Sequence, residues 1–218
     1  MTAAAALDRA AIEAVDQAGM LEDVLALPEQ LRDALWRVEA ANLEPREATS
    51  GLIVAGMGGS GIGGAHEDFP KDLARGLHRT VPQIAGSGLT APIAYRWKTQ
   101  INENAKMPAF SHEVPELDHN EIMGWQAAGE MGPFSAVFLD DSDLHPRIRQ
   151  RIELTRGLIA SEEAATYKVE SVGTSATERL LSLVLLGDLV SLYLAVLRGV
   201  DPSPVPMIEP LKGALAGG

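Results

Sequence analysis

The chain has 218 residues, 46% of them hydrophobic, which is enough to close at least one buried core. With 30 acidic and 18 basic residues the formal net charge is -12, which repels nucleic acid and anionic membrane surfaces and excludes both as expected partners. A small phosphorylated ligand is compatible with this charge, because local N–H groups and hydroxyls hold such ligands. The absence of cysteine excludes disulfides and thiolate metal sites and favours a cytoplasmic location.

The N-terminal part of the chain predicts helices followed by one strand. Residues 6 to about 40 have apolar positions at helical spacing and predict two helices, with Pro28 punctuating the middle. They lack the basic region that begins a signal peptide. The run GLIVA at 51–55 is short, apolar and followed by glycines at 56–64, a pattern typical of a buried parallel strand that leads into a tight turn. Pro70 interrupts any helix begun at that turn.

From residue 71 onwards the sequence alternates between helical and strand patterns. The predicted strands are 81–85, 136–139 and 166–172, and the predicted helices are 71–77, 90–100, 144–159 and 177–197. This alternation predicts an α/β fold with a doubly wound parallel sheet flanked by helices, preceded by an N-terminal helical segment. The apolar run 180–197 is long enough to cross a membrane, but it contains Asp188 and Gly187, which favour a buried core helix.

The glycine-rich turn GMGGSGIGG at 56–64 is a candidate anion site. Gly56, Gly58 and Gly61 have the G-x-G-x-x-G spacing, in which missing side chains let an anion approach backbone N–H groups. A dinucleotide site would also have an acidic residue about 20 positions later, where this chain reads GLHRT at 76–80. Ser60 adds a hydroxyl donor that suits a phosphate monoester. The pattern therefore favours a phosphate over a dinucleotide, and a turn that needs small residues only for packing is the remaining alternative.

Four segments in order along the chain support a family assignment. They are Gly58, Gly59 and Ser60 after GLIVAG, GSGLTAPIAYRWKTQINENAK at 86–106, DHNEI at 118–122, and LLGDLVSLYLAVLRGVDPSPVPMIEPLK at 185–212. Together they resemble the bacterial bifunctional phosphoglucose/phosphomannose isomerase family. The resemblance implies sugar isomerase domains with a flavodoxin-like sheet. It also implies isomerisation of glucose 6-phosphate and mannose 6-phosphate to fructose 6-phosphate through an enediol, with no metal and no organic cofactor.

The resemblance also implies three catalytic residues. Glu103, in the Asn-Glu-Asn motif, would be the base that moves a proton between C1 and C2 of the sugar. His119 would open the sugar ring and would reach it from the partner subunit of a homodimer. Lys212 would steady the sugar hydroxyls or the enediolate charge. By residue type alone, each of the three is an ordinary surface residue.

The expected substrate contacts come from two places in the sequence. Gly58, Gly59 and Ser60 would bind through the glycine-rich turn, and Ser203 stands where relatives often carry a threonine. His112 and His119 lie seven residues apart, which matches no known zinc ligand spacing, and no metal is expected. The expected partner is a small sugar phosphate, bound by a homodimer.

The resemblance has one interruption, shortly after residue 65. Residues 1–66 are interpreted as N-terminal helices plus a remnant of a first sugar isomerase domain, and 67–218 as the second such domain. The first domain's Ser-x-Ser-Gly-x-Thr phosphate cradle and its arginine do not occur here; the segment 87–90 echoes the cradle but belongs to the second domain. The strand 51–55 is expected to join a neighbouring sheet. Three functions stay open: an isomerase, a catalytically silent sugar-phosphate-binding or regulatory domain, and, on the spacing of Gly56, Gly58 and Gly61 alone, a dinucleotide-dependent enzyme.

Overall fold

The structure is a computed structural model that describes residues 7–40 and 68–216. The predicted strand 51–55 and the predicted substrate contacts Gly58, Gly59 and Ser60 lie outside the described residues. The helices are α1 Arg9–Val15, α2 Met20–Ala40, α3 Phe69–Leu77, α4 Ala91–Asn104, α5 Ala128–Met131, α6 Pro146–Ser161, α7 Ala176–Arg198 and α8 Ile208–Ala216. The strands are β1 Val81–Gly86, β2 Phe110–Glu113, β3 Phe134–Asp140 and β4 Ala165–Glu170.

The helix starts in the first half of the chain follow local backbone chemistry. The break between α1 and α2 falls just before Met20, where the Asp16 carboxylate accepts the N–H groups of Met20 and Leu21, each at 2.8 Å. Pro28 lies inside α2. Pro70 lies in the first turn of α3, where its fixed φ suits a helix and its missing N–H is not needed.

The four strands form one sheet in the order β2-β1-β3-β4, and every pairing is parallel. The order reverses between β1 and β3, so the chain winds outward in both directions from the centre of the sheet. The prediction of a doubly wound parallel sheet flanked by helices is therefore confirmed. β2 was not predicted, because FSHE has no apolar run; it is held by backbone pairing with β1, and the next N–H, from Val114, donates to Gly86 O at 2.8 Å.

Side chains that alternate along the strands divide the core into two layers. We call the side covered by α3, α4 and α7 face A; its sheet residues are Ile84, Val137, Leu139 and Val169. We call the opposite side face B; Ala85, Ala136 and Phe138 pack there against α6 and residues 114–128. Leu7 and Ile12 join the face A cluster, so the N-terminal helix packs on the same core as the sheet.

The centre of face A is α7, which packs closely against α4. Gly187 allows this approach, because a Cβ atom there would lie 2.2 Å from Trp97 Nε1. The same indole N–H donates to Leu183 O at 2.7 Å. Although α7 has the length and composition of a membrane span, 67% of its apolar window is buried in the structure. It is a core helix, as the polar residues within it predict.

Gly187→Ala should therefore destabilise the protein by about 2–4 kcal/mol, because the new methyl group must push Trp97 off its carbonyl partner. Gly157→Ala is the matched control, since Gly157 lies on an exposed helical position with open space around it. That control should raise stability by up to about 1 kcal/mol. Urea unfolding followed by circular dichroism measures both changes. Equal stability of Gly187→Ala and the unchanged protein would contradict the packing account.

The N-terminus of α7 is fixed by a capping box. Ser175 Oγ accepts the Glu178 N–H, and the Glu178 carboxylate accepts the N–H groups of Thr174 and Ser175 and the Thr174 hydroxyl. These hydrogen bonds lower the pKa of Glu178 to about 2, and the hydrogen bond from the Thr174 hydroxyl has the largest effect. The charged form is therefore the one that caps the helix.

Because this native pKa lies below the ordinary value of 4.5, the capping contribution is present above that value and is lost as the pH falls towards 2. Glu178→Gln should show a shallower loss of melting temperature than the unchanged protein between about pH 5 and pH 2. Glu130→Gln, a change at an exposed position on α5, is the control and should keep the steeper loss. Thermal melts in a pH series measure this difference, and parallel curves for all three proteins would disprove it.

Candidate functional site

Glu103 lies in the last turn of α4. Since α4 leads from the end of β1 to the start of β2, and these strands are parallel, Glu103 lies at the edge of the sheet where strands begin. We call this the amino edge and the opposite one the carboxyl edge. The Glu103 side chain is exposed, so its carboxylate is open to a ligand.

The two asparagines that flank Glu103 hold the backbone around it. Asn102 Nδ2 donates to Met107 O at 3.0 Å and so shapes the loop into β2. Asn104 is buried, and its Nδ2 donates to Ser191 Oγ on α7 at 2.9 Å. In the Asn-Glu-Asn motif the outer residues therefore have structural partners, and only the glutamate faces solvent.

Lys106 connects Glu103 to the turn after α7. Its ammonium donates to the carbonyl oxygen of Glu103 and, at 2.9 Å, to that of Pro202. Burial lowers the pKa of Lys106, and the nearby carboxylates of Glu103 and Asp201 only partly oppose this. Lys106 belongs to one of the segments that carry the family resemblance, but the sequence does not predict a role for it. Its hydrogen bond to Pro202 O joins two residues that are far apart along the chain, and no local pattern indicates such a contact.

Ser203 and Lys212 follow this turn. The Ser203 N–H donates to Asp201 Oδ1 at 2.9 Å, and its side chain is exposed. Because Lys106 bridges Glu103 to Pro202, the residue before Ser203, Ser203 lies at the amino edge near Glu103. Lys212 lies on α8, whose residues are all exposed, and no described contact brings it to Glu103. The catalytic and binding roles of these residues stay predictions.

His119 lies in the other layer of the molecule. The preceding Leu117 packs in the face B cluster, and Asp118 accepts from Thr155 Oγ1 on α6 at 2.9 Å. His119 itself is exposed. Because Glu103 ends a face A helix, one chain does not bring the two side chains together. A site shared between two chains, which the resemblance implies, stays a prediction.

The carboxyl edge contains a cluster whose members bond to one another. Asp141 accepts from Arg179 Nε at 2.9 Å and from Ser171 Oγ at 2.6 Å, and Arg179 also pairs with Asp143. Although burial alone would raise the pKa of Asp141, these hydrogen bonds and the Arg179 charge leave it below its ordinary value. The carboxylate therefore stays ionised and occupied by protein partners.

The loop that echoes a phosphate cradle lies beside this cluster. Thr90 Oγ1 accepts the Ser87 N–H at 2.9 Å and donates to Ser87 O, so the two residues cap the turn before α4. A cavity of about 310 Å³ separates this loop from Asp141 and Asp143. Parallel α/β sheets often bind ligands at this position. Here, however, the threonine hydroxyl is committed to the turn, and the facing carboxylates would repel a phosphate.

Comparison with known proteins decides the family. Residues 67–215 match the family described as bacterial phospho-glucose isomerase C-terminal SIS domain. The chain belongs to this family. The match covers most of the described residues, including the whole sheet, and it confirms the family resemblance over the three segments beyond residue 67; the segment around residues 58–60 lies outside the match.

Individual relatives agree with this assignment. The chain is 42% identical over 152 residues to the bifunctional phosphoglucose/phosphomannose isomerase of Caldicellulosiruptor bescii, covering 69% of this chain and 45% of that protein. It is 38% identical over 145 residues to the protein of the same name from Aquifex aeolicus, covering 66% and 45%. The chain thus spans about half the length of the curated relatives it matches.

Solved structures support the fold alone. A glucose-6-phosphate isomerase like protein from Thermus thermophilus superposes with a TM-score of 0.53 at 24% identity, over 66% of this chain and 46% of that chain. At this identity the superposition shows the fold and carries no residue roles.

Replacing Lys106 tests whether it organises the amino edge. Lys106→Ala should lower stability by about 1.5–3 kcal/mol, because two carbonyl groups lose a charged donor. Lys98→Ala is the control. Lys98 lies on α4, the helix that precedes Lys106, and its ammonium only lies over the exposed Tyr95 ring, at 5.1 Å, so its loss should cost about 1 kcal/mol or less. Urea unfolding measures the free energy of unfolding of both variants. Equal losses of stability would show that the two hydrogen bonds of Lys106 contribute no more than an ordinary surface lysine does.

Proposed function

We propose that this chain binds a hexose 6-phosphate and, as a homodimer, interconverts glucose 6-phosphate or mannose 6-phosphate with fructose 6-phosphate. The observation that carries this proposal is the presentation of Glu103. Its neighbours Asn102 and Asn104 are tied to the loop and to α7, while its carboxylate is exposed beside the Lys106 ammonium. Family membership and the names of the relatives support the substrate class.

The isomerisation needs a base that moves a proton between C2 and C1, and a positive group that stabilises the negative charge that develops on oxygen. Glu103 would take the proton from C2 of the open-chain aldose; the C2–H electrons form the C1=C2 bond of the enediol, and the carbonyl oxygen takes up a proton. Return of the proton to C1 converts the C1=C2 electrons into a C1–H bond, while the O2 hydroxyl gives up its proton and forms the C2=O carbonyl of the ketose; this released proton balances the one taken up at O1. An ammonium beside the site, from Lys212 as the resemblance implies, would stabilise the developing negative charge on oxygen.

A second chain would complete the site. Ring opening needs an acid/base near neutral pKa, which suits His119. Within one chain His119 is on face B, whereas Glu103 ends a face A helix. In a homodimer, each site would combine Glu103 from one protomer with the partner subunit's His119.

A catalytically silent sugar-phosphate-binding domain is the second candidate. One observation favours it: the hydroxyl of Thr90, in the segment that echoes the phosphate cradle, is bound to the turn it caps. A phosphate is oriented by several converging donors, so weak orientation would leave binding without turnover.

The base assignment predicts that Glu103→Gln lowers kcat for fructose 6-phosphate by about 10²–10⁴-fold, with binding retained in calorimetry. Glu113→Gln, at an exposed position at the end of β2, is the matched control and should keep full activity. A coupled assay for glucose 6-phosphate measures turnover. Undiminished turnover in Glu103→Gln would refute the base. Binding without turnover in the unchanged protein would establish the silent domain.

The shared site is tested by mixing two inactive variants, Glu103→Gln and His119→Asn. If each site takes one residue from each protomer, random mixed dimers contain one intact site, and about a quarter of full activity should return. Mixing under conditions that exchange subunits, followed by the same assay, measures this recovery. Activity that stays at the level of the separate variants would show that His119 does not act across an interface.

A further inference from the structure

Within the described residues, β4 has one open side. Only β3 pairs with it there, and the Ser171 N–H that follows β4 donates to Asp140 O of β3 at 3.0 Å. Since backbone groups alternate in direction along a strand, residues of the same parity as Ser171 face β3. Thr166, Lys168 and Glu170 therefore direct their backbone N–H and C=O groups to the open side. Such an edge can accept another strand.

An apolar groove lies along this open side, and we call it the β4 groove. It has a volume of about 470 Å³ and is formed by the end of β4, the start of α3 and the middle of α7. Its apolar lining consists of Phe69, Pro70, Val172, Leu185, Leu186 and Leu189. Phe69 and Val172 are 41% and 47% exposed, although each is a large apolar side chain. The groove and the open edge together have the shape that a further strand would cover.

The chain itself supplies a segment of suitable sequence close to this groove. The described residues resume at Asp68, next to groove residues Phe69 and Pro70. Residues 51–55, GLIVA, are apolar throughout, which suits a strand buried on both faces. Residues 56–67 connect them to α3 and reach at most about 40 Å, which is ample for a turn back into a helix.

The handedness of the connection also agrees. From β1 the chain passes through α4 on face A and returns to the sheet as β2, on the side of β1 that is away from β4. Crossovers that join two parallel strands in this way are right-handed in almost all proteins. A strand beyond β4 would reach β1 through α3, also on face A and moving in the same direction across the sheet. That crossover has the same hand as the first. α3 also begins beside the end of β4, as a parallel strand before it requires.

We infer that residues 51–55 pair with β4 as a fifth parallel strand and fill the β4 groove with their apolar side chains. The glycine-rich residues 56–64 would then follow at the carboxyl edge, whereas Glu103 lies at the amino edge. The inference concerns completion of the sheet and holds whether or not the chain turns over a sugar phosphate.

Amide hydrogen exchange measured by NMR on the full chain tests this inference. The N–H groups of Thr166, Lys168 and Glu170 should exchange at least about 10²-fold more slowly than in the double variant Ile53→Pro and Val54→Pro, because backbone groups alternate in direction and one of these two N–H groups must face β4. Val54→Thr keeps the N–H and the branched side chain and should keep the protection. Tyr167 and Val169, which face β3, should be protected in all three proteins and report that the domain is folded. Equal, fast exchange of the three open-side amides in the full chain would overturn the inference.

Cross-linking then shows which chain supplies the strand. Because the protein has no cysteine, Ile53→Cys can be paired in turn with Thr166→Cys, Lys168→Cys and Glu170→Cys on face B, and with Tyr167→Cys and Val169→Cys on face A, so that both possible orientations of residue 53 are covered. At least one pair should oxidise to a disulfide within a single chain, seen as a monomer on a non-reducing gel. Ile53→Cys with Glu113→Cys, on the opposite edge strand, is the control and should stay reduced. Disulfides only between chains, or none with any β4 position, would overturn the inference.

Discussion

The close approach of α7 to α4 is the contact on which the rest of the described structure depends. Gly187 lets the helices meet at the Trp97 ring, and a close-packed interior then allows only one spacing between them. At this spacing Asn104 reaches Ser191. The end of α4 is fixed as a result, and with it the position of Glu103. The placement of the candidate base therefore depends on packing at Trp97, which lies nearly two turns earlier on the same helix.

The same helix pair contains a partly buried ion pair that contributes more to orientation than to stability. Arg96 bonds to Asp188 Oδ2 at 2.8 Å, while Asp188 Oδ1 has no partner among the described residues. Burial raises the pKa of Asp188, and Arg96 only partly offsets this. The free energy needed to remove such charges from water cancels most of the free energy gained from their mutual attraction. Because one carboxylate must face one guanidinium, this pair adds to the Gly187–Trp97 contact in fixing the rotation of α7 against α4.

Much of the fold could be predicted from the sequence because its strongest patterns are local. The apolar runs of β3 and α7 and the proline and glycine signals around them gave the helices and the parallel sheet. FSHE has no such pattern, and β2 exists only because β1 offers it hydrogen bonds. Glu103 could be singled out through its motif. Lys106 could not be assigned a role, because its environment is made by Pro202, and no local pattern shows that the two meet.

Because Glu103 and His119 lie in different layers of the chain, dimer formation could control the proposed activity. If the two act on one sugar, the active unit is a pair of chains, and the fraction of intact sites follows the dimer's mass action. Contacts far from the sugar would then set turnover through assembly. The net charge of -12 opposes assembly of two chains at low salt. Salt screens this repulsion, so the fraction of chains that form the shared site would rise with ionic strength. The proton transfer itself does not require salt.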